Sequence, residues 1–483
     1  MLFMGLDVGT QGARCVVCDE NGNIVAAYSV AFSQINCAKD PGLFEQRPDD
    51  WQTASETAIA KCVERVKEAG LSPADILSIS IDGTSGTIIP LDGDFKPLTN
   101  AIMYNDPRAK SQAARVHQAM QRHEQKLGLR FGSSFSLPRI LWIKENLPDV
   151  YDKTRVFAHQ ADCIAGIMSG EYCVSDYSNA LKTGYDMINS TWPAEIEREL
   201  GIDTGKLPRV IRPGESFANV SKQAATRLGL SEHTLLTGGS TDGYASALAT
   251  GAVKNGDWAS IIGTTFVLKG VTNRLVIDPN GSSYSHRLPS GEWLMGGASN
   301  TGGKCLNSFY PDGDFAGRDK RAMGLGPTGV RCYPLTAKGE RFPFVNAEAE
   351  AFYIGDISGD RLYRAIMEGV GFAERLAFER MIKMGLSVSD VVFTTGGASK
   401  SDLWLEIRAS ILNRQLAAPS AVDAAMGSAL LAASEHFGSL AGAAKSLIRI
   451  KKRVDPRREW VDQYEKTYRA FEEDVRKLYG VEI

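Results

Sequence analysis

The chain has 483 residues, 43% of them hydrophobic and 23% charged, with a formal net charge of −3. That length is more than one hydrophobic core accommodates and points to two or more domains. The near-neutral balance gives nucleic acid and anionic membranes no electrostatic hold, and the apolar runs fall short of the roughly 20 residues that span a bilayer.

The chain opens "MLFMGLDVGTQGARCVV". Asp7 ends the apolar run after six residues, which argues against a signal peptide. It also places a carboxylate where leaving it buried and unpaired costs roughly several kcal/mol. Gly9, Thr10 and Gly12 follow as a tight polar turn, so the stretch reads as strand, glycine turn, strand, a second turn at Asn21–Gly22, and a third strand. In "DVGTQGAR" the glycines let backbone approach an oligophosphate, Thr10 and Gln11 add donors, and Asp7 faces Mg²⁺, through water. Taken alone, the octapeptide is slightly better read as a plain hairpin whose aspartate bonds turn amides; the second hairpin tips the balance toward phosphate. Cys15 and Cys18 lie three apart on a strand and point to opposite faces, so they cannot share a metal. Eight irregularly spaced cysteines in a chain with a large core read as reduced thiols of the cytoplasm.

"DPGLFEQRPDDW" sets Glu45 and Gln46 between a Pro–Gly turn and the start of an amphipathic helix that Gly70 ends. "ILSISIDGTSGTIIPLD" is a strand, a polar turn carrying Thr84, Ser85 and Thr87, and a strand; "MYNDPR" follows with Tyr104, Asn105, Asp106 and Arg108. Each group alone reads as capping or solvated loop; together they suggest a hydroxyl-rich pocket. In "HTLLTGGSTDGYASALATGAV", Asp242 precedes a helix of small residues. There it is either a general base for a hydroxyl or an N-cap worth about 1 kcal/mol, and the stretch alone favours the cap. "WASIIGTTFVLKGVT" repeats the first hairpin, with Gly263, Thr264 and Thr265 in the places of Gly9, Thr10 and Gln11 and Ile261 in that of the aspartate. "VVFTTGGASKSDLWLEIRASIL" shares the strand, paired-glycine and helix design of the Asp242 segment, which brings free backbone N–H groups to a sheet edge and suits phosphate. Neither a Walker-type nor a GxGxxG loop is present. The patterns divide the chain into 1–248, 249–445 and a charged tail, 446–483, read as a surface helix closing the second domain.

Taken together, "GLDVGTQGAR", "EQRPDDW", "YNDPR", "GGSTDG", "IIGTTFVLKG", "GGASNTGGK", "TTGGASKSDLW" and "AAMGSALLA" resemble, in order, the FGGY carbohydrate kinases. The resemblance implies an α/β protein of two ribonuclease-H-like domains, of the actin and hexokinase superfamily, with an interdomain cleft. Sugar is then expected on the N-terminal domain and ATP mainly on the C-terminal one, with Mg²⁺. Asp242 becomes the catalytic base, and Asp7 faces the metal and the reacting hydroxyl. Gly9, Thr10 and Gln11 form one phosphate turn and Gly263, Thr264 and Thr265 the other. Gly302 and Gly303 approach the nucleotide, and Gly396, Gly397, Ser401 and Trp404 border the adenosine. Glu45, Ser85, Tyr104, Asn105 and Gln11 are the expected sugar contacts.

Xylulose kinases usually carry Gly-Gln-Met-His-Gly where this chain has "GTSGT", and the Arg-Glu pair of glycerol kinases is missing. "IDGTSGT", "SDYSNALKTGYD", "YSHRLPSGEWLMGGASNTGG" and "YPLTAKGERFPF" look like the D-ribulose kinase branch. D-Ribulose is therefore the first expected acceptor, D-xylulose the second, then other polyols or sugar acids. The rival class is a nucleotide-gated interaction protein; an enzyme of feeble turnover acting as a sensor is a third reading. The expected partners are a small sugar and ATP, with a homodimer as the candidate assembly.

Overall fold

The computed structural model describes residues 1–482, whose contacts divide into two compact units. The first comprises Met1–Gly251, His286–Gly291 and Asp423–Ile448; the second holds Ala252–Ser285 and Glu292–Val422 and resumes at Arg449.

The sheet of the first unit runs through Ser216–Asn219, Leu235–Thr241, Ile76–Gly83, Leu2–Val8, Gly12–Asp19 and Ile24–Ala31. The three N-terminal strands form the antiparallel meander that their glycine turns specify. Leu2–Val8 also pairs in parallel with Ile76–Gly83, which pairs in parallel with Leu235–Thr241. Parallel neighbours need a crossover, and the helix Pro48–Glu68 supplies the first. Proline at its start and Asp49 and Asp50 in its first turn suit a helix N-terminus, and Trp51, Ala58, Ile59 and Cys62 are buried beneath it.

The other face of Leu2–Val8 is covered by the helix Ala424–Ala433, which is apolar all round and buried along its whole length. It approaches the strand at Gly5, where a Cβ would collide with the carbonyl oxygen of Ala425. Its own Gly427 backs in the same way onto Ala245 of the helix Asp242–Leu248. This corrects the division at residue 445: Asp423–Ile448 packs with the first unit, because two glycines let its backbone into that unit's core.

The second unit repeats this six-strand plan within a seven-stranded sheet. Ile450–Val454, Gln415–Pro419, Val391–Thr395, Trp258–Ile262, Phe266–Thr272 and Trp293–Ala298 stand in the same order, with the same senses of pairing. The expectation for the tail changes too. It begins as the edge strand Ile450–Val454, and one face of the helix Arg458–Tyr479 sends Trp460, Tyr464, Tyr468, Phe471 and Val475 into the core. The charges read in the sequence belong to its other face. Among the described residues, no helix is long and apolar enough to cross a membrane.

Candidate active site

Alternation along Leu2–Val8 sends Leu2, Met4, Leu6 and Val8 into the core that includes Trp51, and turns Phe3, Gly5 and Asp7 toward the segment 424–437. Asp7 closes that row. Its register partner across the parallel pair is Asp82, which is wholly buried and accepts a hydrogen bond of 2.6 Å from the Ser428 hydroxyl to Oδ2. Burial, then the neighbouring Asp7, holds Asp82 well above the carboxylate range. Burial also lifts Asp7 to about 6; the hydrogen bond with Asp82 opposes this, and the charges of Asp242 and Asp423 add to it. Burial disfavours charge on both acids, and Asp82 Oδ1 has no hydrogen-bond partner among the described residues.

Asp7, Gly9, Arg14, Asp242, Gly243 and Asp423 line one open recess of about 440 Å³ in the first unit. Asp242 reaches it from the end of the strand Leu235–Thr241. That strand shifts register against Ile76–Gly83 between Thr237 and Ser240, so Gly238 and Gly239 form a bulge. A Cβ on either would strike a backbone carbonyl, of Arg212 or of Ile81. These glycines therefore bend the strand and aim its end, which corrects the reading of them as a phosphate cradle. Burial raises the pKa of Asp242, against the Gly243 N–H (2.6 Å) and the charge of Lys182.

The first turn is closed by the Gly9 N–H donating to the Gly12 carbonyl at 3.0 Å. Gln46 Nε2 braces the Thr10 carbonyl at 2.8 Å, the Tyr104 hydroxyl lies 3.4 Å from that of Thr10, and Gln11 is exposed at the tip. Ser85 is partly exposed on its turn, where Gly86 takes φ +98° and Lys182 Nζ donates to the Ser85 carbonyl at 3.0 Å. Asn105 is exposed beside Tyr104. Apart from Gly9, none of these loop residues lines the recess, and other expected polyol contacts are engaged elsewhere. Thr84 and Thr87 are buried against each other and Gln160. Glu45 is committed to Arg108 at 2.8 Å and Asn100 at 3.0 Å, and Asp106 to Arg108 and the Phe44 N–H.

In the second unit the turn Gly263–Thr265 is backed by the next glycine pair. Gly303 donates to the Gly263 carbonyl at 2.8 Å, and a Cβ on Gly302 would overlap Thr265 backbone. Gly302 thus serves the packing of the turn. Gly263, Thr264 and Gly303 open onto a recess of about 540 Å³, ample for a nucleoside. Its walls include Leu306, Phe315, Tyr363 and Met367, with Trp404, Gly397 and Ser401 on the side expected for adenosine. Trp404 gives its indole N–H to the Met367 carbonyl at 3.2 Å and so offers only its ring; Ser401 caps the helix Asp402–Leu412, accepting from the Trp404 N–H at 3.0 Å. Gly396, at φ +92°, abuts the Ile262 carbonyl and positions the loop.

The chain matches the N-terminal domain model of the FGGY family of carbohydrate kinases over residues 2–249 and the C-terminal domain model over 259–436. It belongs to the FGGY carbohydrate kinases. A xylulose kinase of Bacillus subtilis is 29% identical over 477 residues, covering 95% of this chain and 94% of that protein. A gluconokinase of the same organism is 24% identical over 454 residues, covering 89% and 86%. Among solved structures, that of a xyloylose kinase from Brucella ovis superposes with a TM-score of 0.88 at 23% identity over the whole of both chains. As an FGGY kinase the protein is a phosphotransferase acting on a sugar hydroxyl, and the family implies ATP as donor, typically with Mg²⁺.

The first recess fits that cation. Mg²⁺ keeps several waters and needs one or two carboxylates beside the phosphates, and the mutual repulsion of Asp7, Asp242 and Asp423 is what a divalent charge relieves. Among the described residues, no group of three or more His, Cys, Asp or Glu is placed to hold a metal ion by itself, so the phosphates and water would have to supply most ligands. Asp82, Asp423 and Lys182 are additions to the residues read from the sequence. Asp82 carried the same signal as Asp7, an acid at the end of an apolar strand, and Asp423 the N-cap signature of the helix that follows it.

Proposed function

We propose that this FGGY kinase phosphorylates the terminal hydroxyl of a ketopentose, D-ribulose first and D-xylulose as the alternative. The observation that carries this reading is the pairing of Asp7 and Asp242 on one recess beside a glycine turn. Asp242 accepts the hydroxyl proton as the γ-phosphoryl group moves in line. Asp7 would hold the Mg²⁺, which offsets phosphate charge. Nucleotide is assigned to the Trp404 recess, where an apolar slot and a free glycine turn suit a base and a phosphate chain.

Two observations pull on the acceptor. The named relatives favour xylulose. The small Ser85–Gly86 turn, lacking the Met and His usual in xylulose kinases, favours the ribulose branch. Comparison of kcat/KM for D-ribulose, D-xylulose, ribitol and gluconate, read as ADP release, decides between them. D-Ribulose is expected to lead; a dominant D-xylulose would select the alternative, and absence of turnover with every acceptor would reject the ketopentose reading.

A further inference from the structure

We infer that Ser178, held by the buried Asp176, is the positioning residue that fixes the direction of the Asp242 carboxylate. This rests on the reading of Asp242 as base. Thr241, the residue before Asp242, lies at the N-cap of its helix yet makes no side-chain cap bond. Its N–H and its hydroxyl turn instead to one side chain: the N–H donates to Ser178 Oγ at 3.2 Å, and the hydroxyl lies 3.1 Å from the same oxygen. The peptide that aims the base is therefore gripped by a residue 63 positions earlier in the chain.

Ser178 sits in a single helical turn, Tyr177–Ala180, too short to be stable by itself. What fixes that turn is Asp176, only 2% exposed. Its Oδ1 accepts from the Ser178 N–H at 2.7 Å and the Asn179 N–H at 3.0 Å, and its Oδ2 accepts from Asn179 Nδ2 at 2.7 Å. The turn follows directly on the strand Val174–Asp176, which pairs in parallel with Arg209–Ile211 in a separate two-stranded sheet. Burying a carboxylate is costly, and three donors offset only part of that cost here. That expense is explained if the element it anchors must hold an atom in one place. The bulge at Gly238–Gly239 shifts the register, and beyond it only Ser240 and Thr241 rejoin the ladder, opposite Asp82 and Gly83, so the Ser178 contacts give these last residues a second hold. In this way "SDYSNA" and "GGSTDG", separate in the sequence, form one device. The chain of contacts runs from Asp176 to Ser178 to Thr241 and ends at the base.

The test compares wild type with Ser178→Ala and Ser178→Thr. A displacement of about 1 Å costs up to about a hundredfold in rate. Ser178→Ala is thus expected to lower kcat by about tenfold to a hundredfold, with KM for ATP and for the sugar little changed, and Ser178→Thr, which keeps the hydroxyl, to restore most of it. Hydrogen–deuterium exchange gives a readout independent of any acceptor. In Ser178→Ala, peptides covering 240–244 should exchange faster, while those of the neighbouring strand Ile76–Gly83 should not. An unchanged kcat overturns the inference, as does a loss shared equally by both KM values, or exchange in 240–244 equal to wild type. A wild type inactive on every acceptor would reject the ketopentose reading and leave the exchange arm to judge Ser178.

Discussion

A single residue, Asp7, held the first clue to this protein. Its carboxylate could be singled out because it breaks an apolar strand; its partner could not, since register pairing with Asp82, 75 positions later, exists only once the two strands lie side by side. Ser85 and Glu45 show the same limit from the other direction. Both were polar residues in loops, and only the structure shows one partly exposed on its turn and the other spent on Arg108. Two outcomes follow at this scale. On the proposed role, Asp7→Asn removes the charge that would face Mg²⁺, so the Mg²⁺ concentration for half-maximal turnover should rise by about tenfold or more while the sugar KM moves less; a metal titration checks this. Asp176 gives a pH dependence. Burial, then Asp162, raises its folded pKa from 3.8 to about 7, so between these values the folded state binds more proton than the unfolded state. Stability from this group is full below about pH 3.8 and is lost as pH rises through about 7. Thermal melts across pH 4–7 should show this fall in the wild type and a shallower one in Asp176→Asn.

Whole elements were more legible than their partners. The hairpins, the helix after "EQRPDDW" and the glycine turns follow from local pattern and turn chemistry, and they stand where those signals put them. The helix Ala424–Ala433 was visible as an apolar run, but not its place, because nothing in "AAMGSALLAA" names the strand it covers. Gly5 and Gly427 hold that information, and a glycine's meaning depends on what lies opposite. Gly5→Ala puts a methyl group into the backbone of that helix and should destabilise the protein by at least about 1–3 kcal/mol, the usual range for overpacking. Urea unfolding checks this: a lower midpoint at unchanged slope is expected, and an unaltered midpoint would mean that the helix yields easily.

Across the molecule, duplication explains why a weak internal likeness was informative. The hairpins at Leu2–Asp19 and Trp258–Thr272 share little beyond a glycine turn, yet each opens a sheet of the same strand order. Only the first copy has the acid: Asp7 is matched by Ile261, in keeping with the proposed division between a unit for metal and acceptor and a unit for nucleoside. The sugar itself is the least legible feature, since it depends on a few atoms of loops such as Ser85–Gly86. The central claim is that Asp242 is the base of a sugar kinase, and the most direct measurement pairs turnover with binding in Asp242→Asn. Ketopentose-dependent ADP release should fall by about a hundredfold or more, with the affinity for an unreactive ATP analogue, measured by calorimetry, unchanged. Turnover within a few fold of wild type, at unchanged analogue affinity, would contradict it.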